Sequence, residues 1–444
     1  MNERRSEKSY GAKALIPVAV FLLLYVGCGI VFTFLGVEKP FNVMPRYVAV
    51  MIGILVALVY FDRNKKLAEK VEVYYEYAGS SGVMTLGLIV LLAGGFAGSC
   101  AAIGGKESMV NLGASLIPPQ FLIPGIFIMC SIVSTCIGTS MGTASLMAPV
   151  AVALAQGTGL NLGMAAAAVL TGSTFGDNLS MISDTTICAT KGVGADMKDK
   201  FRMNFTIAIP AAVLAVIFYA IVGFTGGGSQ TVEAGSYNIV TIIPYIAVLG
   251  LAVAGIDVIA VLAIGMGLSC IIGILAGTAS FFAWAQGVSA GMEGMFWLAV
   301  FAMLISGMIG LVRYYGGIEW LVEKARKGMK TRKSCEYIIG LFPMLLSAII
   351  ANNTLSIIIS APVAKELGSK YKVAPKRLAS LLDIGACLGA MVVPHGTVML
   401  MVQEAAGCNY LDVLKYEFYA LLLFIAVIIT IQFGLLRTKE EKEI

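Results

Sequence analysis

The 444-residue sequence predicts an all-α polytopic membrane protein made of two inverted-topology repeats, and three observations predict it. Hydrophobic residues make up 58% and charged residues 13%, against about 25% charged in soluble domains. Uncharged apolar runs recur at the roughly 20 residues that a helix needs to cross a bilayer. Two halves of the chain also align with each other, while the charge of their loops reverses.

In chain order, "ALIPVAVFLLLYVGCGIVFTFLGV" (Ala14 to Val37) opens the series. It is too long for a signal-peptide core and lacks a small-residue cleavage site, so it reads as a retained span. From Ser108 to Gly176 the chain holds no Asp, Glu, Lys or Arg. That desert contains a hairpin at about 121–155, turning at "GTSMGT", and the start of a broken span at about 162–190. These belong to a first repeat, 1–225. The second repeat, 226–444, carries its hairpin at about 336–364, turning at "ANNT", and a broken span at about 376–404. "YALLLFIAVIITIQFGLL" closes the series near the end.

The nine cysteines are odd in number and lie mostly in apolar segments, so they make neither a disulfide framework nor a metal-ligand spacing. The net charge of +5 sits in short loops between spans, which speaks for membrane topology and against nucleic acid. No phosphate-cradling "GxxxxGK[ST]" and no "HExxH" occurs. The expected protein is therefore not an enzyme, and any pumping must draw on an ion gradient.

Self-similarity supports the duplication. "GGFAGSCAAIGG" (Gly94 to Gly105) resembles "SGMIGLVRYYGG" (Ser306 to Gly317) at an offset of 212, and "MAPVA" (Met147 to Ala151) matches "SAPVA" (Ser360 to Ala364) at 213. At 213, Gly172 also falls on Gly385 and Gly176 on Gly389. Residues 62–82 hold four Lys/Arg against none at 274–294, while 101–122 hold only Lys106 against seven at 313–335. Residues 152–164 hold none against five at 365–377, and 190–202 hold four against only Lys415 at 403–415. Lys/Arg-rich loops face the cytoplasm, so the halves insert upside down relative to each other, as in secondary transporters. Loops 313–335 and 365–377 are both basic, which makes the segment between them a re-entrant hairpin. The expectation is five full spans and one hairpin per half, in the plasma membrane, with both termini cytoplasmic.

Irregular backbone at membrane depth survives only in a protein interior or along a cavity. The two hairpin tips and the two glycine-containing spans are such places. A break at Gly172 and Gly176 is expected to gather Asp177, Asn178, Ser180 and Ser183, with Asp184 and Thr185 beside them, into an oxygen-rich cation shell. On an unbroken helix Asp177 and Asp184 lie about 10.5 Å apart, too far to grip one small ion. The competing reading makes these acids helix caps at the cytoplasmic surface. Ser140 and Thr143 at the first tip, and Asn352, Asn353 and Thr354 at the second, are further candidate ligands. At 213, Ala390 replaces Asp177 and Thr397 replaces Asp184. The second broken span instead has His395, the sole histidine, beside Thr397. His395 is either a structural residue or a solute contact, and Asp383 either a proton carrier or a helix-start residue.

The stretch "GSTFGDNLSMISDTT" resembles the signature of NhaC-type sodium/proton antiporters, within the broader ion-transporter superfamily. The motif carries over at Gly176, Asp177, Ser180, Ser183, Asp184, Thr185 and Thr186. The resemblance implies paired hairpins and often a homodimer working by elevator-like alternating access. Met181 stands where the family usually has Pro, and "HG" (His395, Gly396) where it tends to have a Trp-Asn pair. The function expected is Na+/H+ antiport, with no cofactor beyond Na+ as the transported or coupling ion. The alternative is a Na+- or H+-coupled carrier of a small organic solute, an amino acid or carboxylate. An intramembrane aspartyl protease gives no reason for an inverted duplication and would draw its two acids from separate helices.

Overall fold

In hydrocarbon every backbone N–H and C=O must be satisfied within the protein, which leaves helices as the solution for apolar runs such as these. The computed structural model describes residues 6, 8–37, 40–116, 118–225, 236–328 and 330–437. The termini expected in the cytoplasm, at 1–5 and 438–444, and the repeat junction at 226–235 lie outside the described residues. The helices are α1 (Gly11–Phe34), α2 (Arg46–Tyr60), α3 (Leu67–Ala78), α4 (Ser81–Ala102), α5 (Gly105–Leu116), α6 (Pro119–Ile137), α7 (Ser140–Gly157), α8 (Leu162–Leu179), α9 (Asp184–Val193) and α10 (Met197–Thr225). They continue with α11 (Ile239–Val253), α12 (Val258–Leu275), α13 (Phe281–Tyr314), α14 (Gly317–Gly328), α15 (Arg332–Ile350), α16 (Asn353–Lys370), α17 (Pro375–Met391), α18 (Thr397–Ala406), α19 (Tyr410–Leu414) and α20 (Phe418–Gln432). Among the described residues there is no strand. Among the described residues seven helices are long and apolar enough to cross a membrane, and α2, α11 and α20 are shorter apolar helices. The protein is a polytopic helical membrane protein.

The chain divides into two compact units, one of residues 1–88 and 297–330, the other of 89–296 and 331–444. In the first, Lys70 reaches back to the end of α2 and donates to the carbonyls of Leu58 at 2.8 Å and Phe61 at 2.6 Å. These are orphan carbonyls of a helix C-terminus, which a cation satisfies well. Burial pulls the Lys70 ammonium below the usual lysine value, and nearby Asp62 opposes that pull.

In the second unit the element boundaries repeat at a spacing of 213. The bounds of α6, α7 and α9 fall on those of α15, α16 and α18, and α8 begins at Leu162 as α17 begins at Pro375. Each antiparallel helix pair, α6–α7 and α15–α16, turns through one left-handed residue, Gly138 (φ +78°) and Ala351 (φ +55°) respectively. Packing is reciprocal between the halves: α9 lies on α16 and α17, while α18 lies on α7 and α8.

The breaks in the two interrupted spans lie further along than expected. Helix α8 runs straight through Gly172 and Gly176 and ends at Leu179, and the interruption spans 180–183. Likewise α17 runs through Gly385 and Gly389, and the interruption spans 392–396. The glycines serve close approach instead. A methyl on Gly172 or Gly176 would run into the carbonyls of Phe127 or Ser131 on α6, and one on Gly385 or Gly389 into those of Gly340 or Met344 on α15. The true breaks carry helix-ending chemistry. Ser183 caps α9 by accepting from the Thr186 amide at 3.3 Å, and Pro394, in the second break, has no amide to donate.

Three basic residues counted with the loops are buried: Lys70, Lys200 and Arg377. Arg377 faces Glu336 at 3.1 Å and Thr430 at 2.9 Å. The loop charge surplus persists without them, because 190–202 still holds Lys191, Lys198 and Arg202.

Candidate functional site

The site grows from the C-terminal turn of α8. The break leaves carbonyls of this turn short of the amides a continuing helix would supply, and the negative end of the helix dipole points there. Asp177 sits in this turn with 3% of its surface exposed. Ser140, at the first residue of α7, donates its hydroxyl to Asp177 Oδ2 at 2.9 Å. Thr185, from the first turn of α9, lies 3.5 Å from Asp177 Oδ1 and shares a 2.6 Å hydrogen bond with Ser183. One buried carboxylate at a helix end is thus met by hydroxyls from a hairpin tip and a helix start.

Other expected ligands take different places. Asn178 is fully buried, and its backbone carbonyl, not its side chain, is the group the structure engages. Ser180 caps α8, its amide donating to the Asp177 carbonyl at 3.2 Å, while its own carbonyl accepts from Thr186 at 2.8 Å. Asp184 is exposed in the first turn of α9, away from the hydroxyl ring, where a carboxylate complements the helix dipole. Thr143 is buried and turns its hydroxyl back to the Thr139 carbonyl at 2.9 Å.

In the second half, Asn352 is exposed and caps α16 by accepting from the Leu355 amide at 2.8 Å. Asn353 accepts from the Thr354 amide at 3.2 Å and approaches Cys387 Sγ at 3.8 Å, and Thr354 is half-buried next to it. His395 is buried, with Nε2 2.8 Å from the Ala348 carbonyl, and Thr397 donates to the Ala351 carbonyl at 3.3 Å. Both side chains therefore tie the second break to the last turn and tip of the second hairpin.

Asp383 is fully buried on α17, and its partner is a residue that sequence reasoning missed. Lys200, counted there as a loop charge, projects from α10 and pairs with Asp383 Oδ2 at 2.7 Å, both side chains at 1% exposure or less. Its ammonium also donates to the Asn178 carbonyl at 2.9 Å and to the Thr186 hydroxyl at 2.6 Å. Asn204, one turn along α10, bridges Asp383 Oδ2 at 2.8 Å and the same Asn178 carbonyl at 2.9 Å. The signal was present: Lys200 and Asn204 share one face of a helix whose next 20 residues carry no charge. Among the described residues no three His, Cys, Asp or Glu side chains gather as a metal site. The donor set of hydroxyls, carbonyl and carboxylate is that of a hard cation.

A model of the Na+/H+ antiporter family matches residues 12–224 and 231–437. The chain is 25% identical over 458 residues to the Na(+)/H(+) antiporter NhaC of Bacillus subtilis, covering 96% of this chain and 99% of that one. It is 24% identical over 370 residues to the Na(+)/H(+) antiporter NhaC of Alkalihalophilus pseudofirmus, covering 77% and 79%. It is 30% identical over 216 residues to the malate-2H(+)/Na(+)-lactate antiporter of Bacillus subtilis, covering 49% and 44%.

Proposed function

The chain belongs to the Na+/H+ antiporter family, and from that premise we propose that it exchanges Na+ for H+ across the plasma membrane, with Asp177 as the shared ligand. The observation that carries this is the Asp177 carboxylate, buried and met by the hydroxyls of Ser140 and Thr185 from two other helices. A hydroxyl can donate to a carboxylate or present a lone pair to a cation, so the same ring serves both loaded forms. One carboxylate takes up a proton or a sodium ion in turn, and that competition is antiport. The 213-residue register and the reciprocal packing of α9 and α18 support an inverted repeat that alternates the site between two faces. On this reading eight helices and the two interrupted spans make ten crossings, with both termini cytoplasmic, and the family resemblance adds a homodimer.

Purified protein in proteoliposomes under imposed Na+ and pH gradients tests this. Asp177→Asn keeps the shape and one oxygen but cannot carry the proton, so exchange should vanish while the protein still folds. Wild-type exchange in that variant would place the site elsewhere. Because one relative is named for malate and lactate, these two solutes and an amino-acid panel belong in the same assay. Transport of any of them without Na+/H+ exchange would favour the organic-solute reading.

A further inference from the structure

The Lys200 ammonium is held as a bound cation is held. Three oxygens surround it at 2.6–2.9 Å: a carboxylate from α17, a helix-end carbonyl from α8 and a hydroxyl from α9. Two more buried oxygens, Asp383 Oδ1 and Asn204 Oδ1, make no hydrogen bond among the described residues. The amide of Asn204 fastens the carboxylate and the carbonyl to each other, so the nest does not depend on the lysine alone for its shape.

We propose that Lys200 is a tethered cation filling a second monovalent-cation site, formed by Asp383, the Asn178 carbonyl and Thr186, so that Asp177 holds the one exchangeable ion. This rests on the reading of Asp177 given above. A buried carboxylate left without its counter-charge is strongly destabilising, so Asp383 needs a cation at every stage of transport. A covalently attached ammonium is present at an effective concentration that free Na+ does not match, and it cannot leave with the cargo. Asn178 links the sites, since it follows Asp177 in sequence and its carbonyl faces the ammonium. Removing the lysine side chain leaves a charged, oxygen-lined space of the size of a small ammonium, open to Na+ or methylammonium.

The test uses purified full-length protein with Na+ or methylammonium as probe and N-methylglucamine as the inert cation. In the Asp177→Asn background, thermal unfolding should not respond to Na+. Adding Lys200→Ala should produce a saturable rise of melting temperature with Na+ and with methylammonium, and Asp383→Asn on top should abolish it. With Asp177 intact, Lys200→Ala should raise bound Na+ from one to two per chain. If Lys200→Ala does not fold without a cation, Lys200→Ala/Asp383→Asn should fold, because neither charge remains. A Lys200→Ala/Asp177→Asn protein that ignores both cations overturns the proposal, as does a Lys200→Ala/Asp383→Asn protein no more stable than Lys200→Ala alone. A Na+ response that survives Asp177→Asn by itself would count against Asp177 and is read separately.

Discussion

Replacing Gly176 by alanine adds one methyl at the most crowded point of the α6–α8 contact. The new carbon would stand 2.5 Å from Ser134 Cβ and 2.8 Å from the Thr135 amide nitrogen, and closer still to the Ser131 carbonyl oxygen. Non-bonded carbons settle at about 3.5–4.0 Å, so α8 must retreat from α6 by roughly 1 Å. Overpacking of this kind costs about 1–3 kcal/mol of stability. The next residue is Asp177, and its 2.9 Å bond to Ser140 does not survive a displacement of that size, since contacts near 3.6 Å are no longer hydrogen bonds. An interaction with a charged group is worth about 1.5–3 kcal/mol, which is roughly tenfold to hundredfold in apparent Na+ affinity. Gly389→Ala is the matched control. Its methyl meets the Met344 carbonyl in the same way, yet the following residue is Ala390. Both variants should lose comparable stability in thermal melts, and only Gly176→Ala should lose Na+ affinity in proteoliposome exchange. Wild-type Na+ dependence in Gly176→Ala, or an equal affinity loss in Gly389→Ala, would refute the placement of the site.

His395→Ala should lower the melting temperature, because the hydrogen bond to the Ala348 carbonyl is worth about 0.5–1.5 kcal/mol, while Na+ affinity stays unchanged. A selective loss of carboxylate or amino-acid transport in that variant would instead make the imidazole a solute contact. For topology, Lys333→Cys and Lys370→Cys, at exposed positions flanking the second hairpin, should both react with impermeant thiol reagents from the cytoplasmic side, in a background without accessible native cysteines. Labelling from opposite faces would turn the hairpin into a full span.

Hairpin tips and interrupted spans were legible because apolar length, glycine spacing and loop charge are one-dimensional signals. Gly138 and Ala351 lie at the expected turns, and Asp177 lies at the end of the charge desert. Two features were not legible. The glycines 172, 176, 385 and 389 looked like breaks, since glycine weakens a helix, but here each lets two backbones touch, and that depends on a partner helix roughly 45 residues away in the chain. The breaks themselves rest on Ser180, Ser183 and Pro394. Lys200 was misread for a related reason. Charge near a loop and charge buried against Asp383 look alike until the 182 intervening residues are folded.

The 213-residue register supplies geometry, and the residues that differ across it supply chemistry. At the 213-residue offset Asp177 answers to Ala390, Ser140 to Asn353, Asp383 to Leu170 and Lys200 to Val413. Each interrupted helix therefore carries one buried acid, at a different level along its length. Reciprocal packing brings the Asp383 helix α17 against α9 and α10, so that its carboxylate reaches the amine of Lys200 and, through it, the end of α8. One acid meets the hydroxyls of Ser140 and Thr185. The other meets a covalently held ammonium, which cannot leave. Two carboxylates in the same interior thus have different partners: Asp177 finds its hydroxyls within its own half, and Asp383 finds its ammonium across the packed halves.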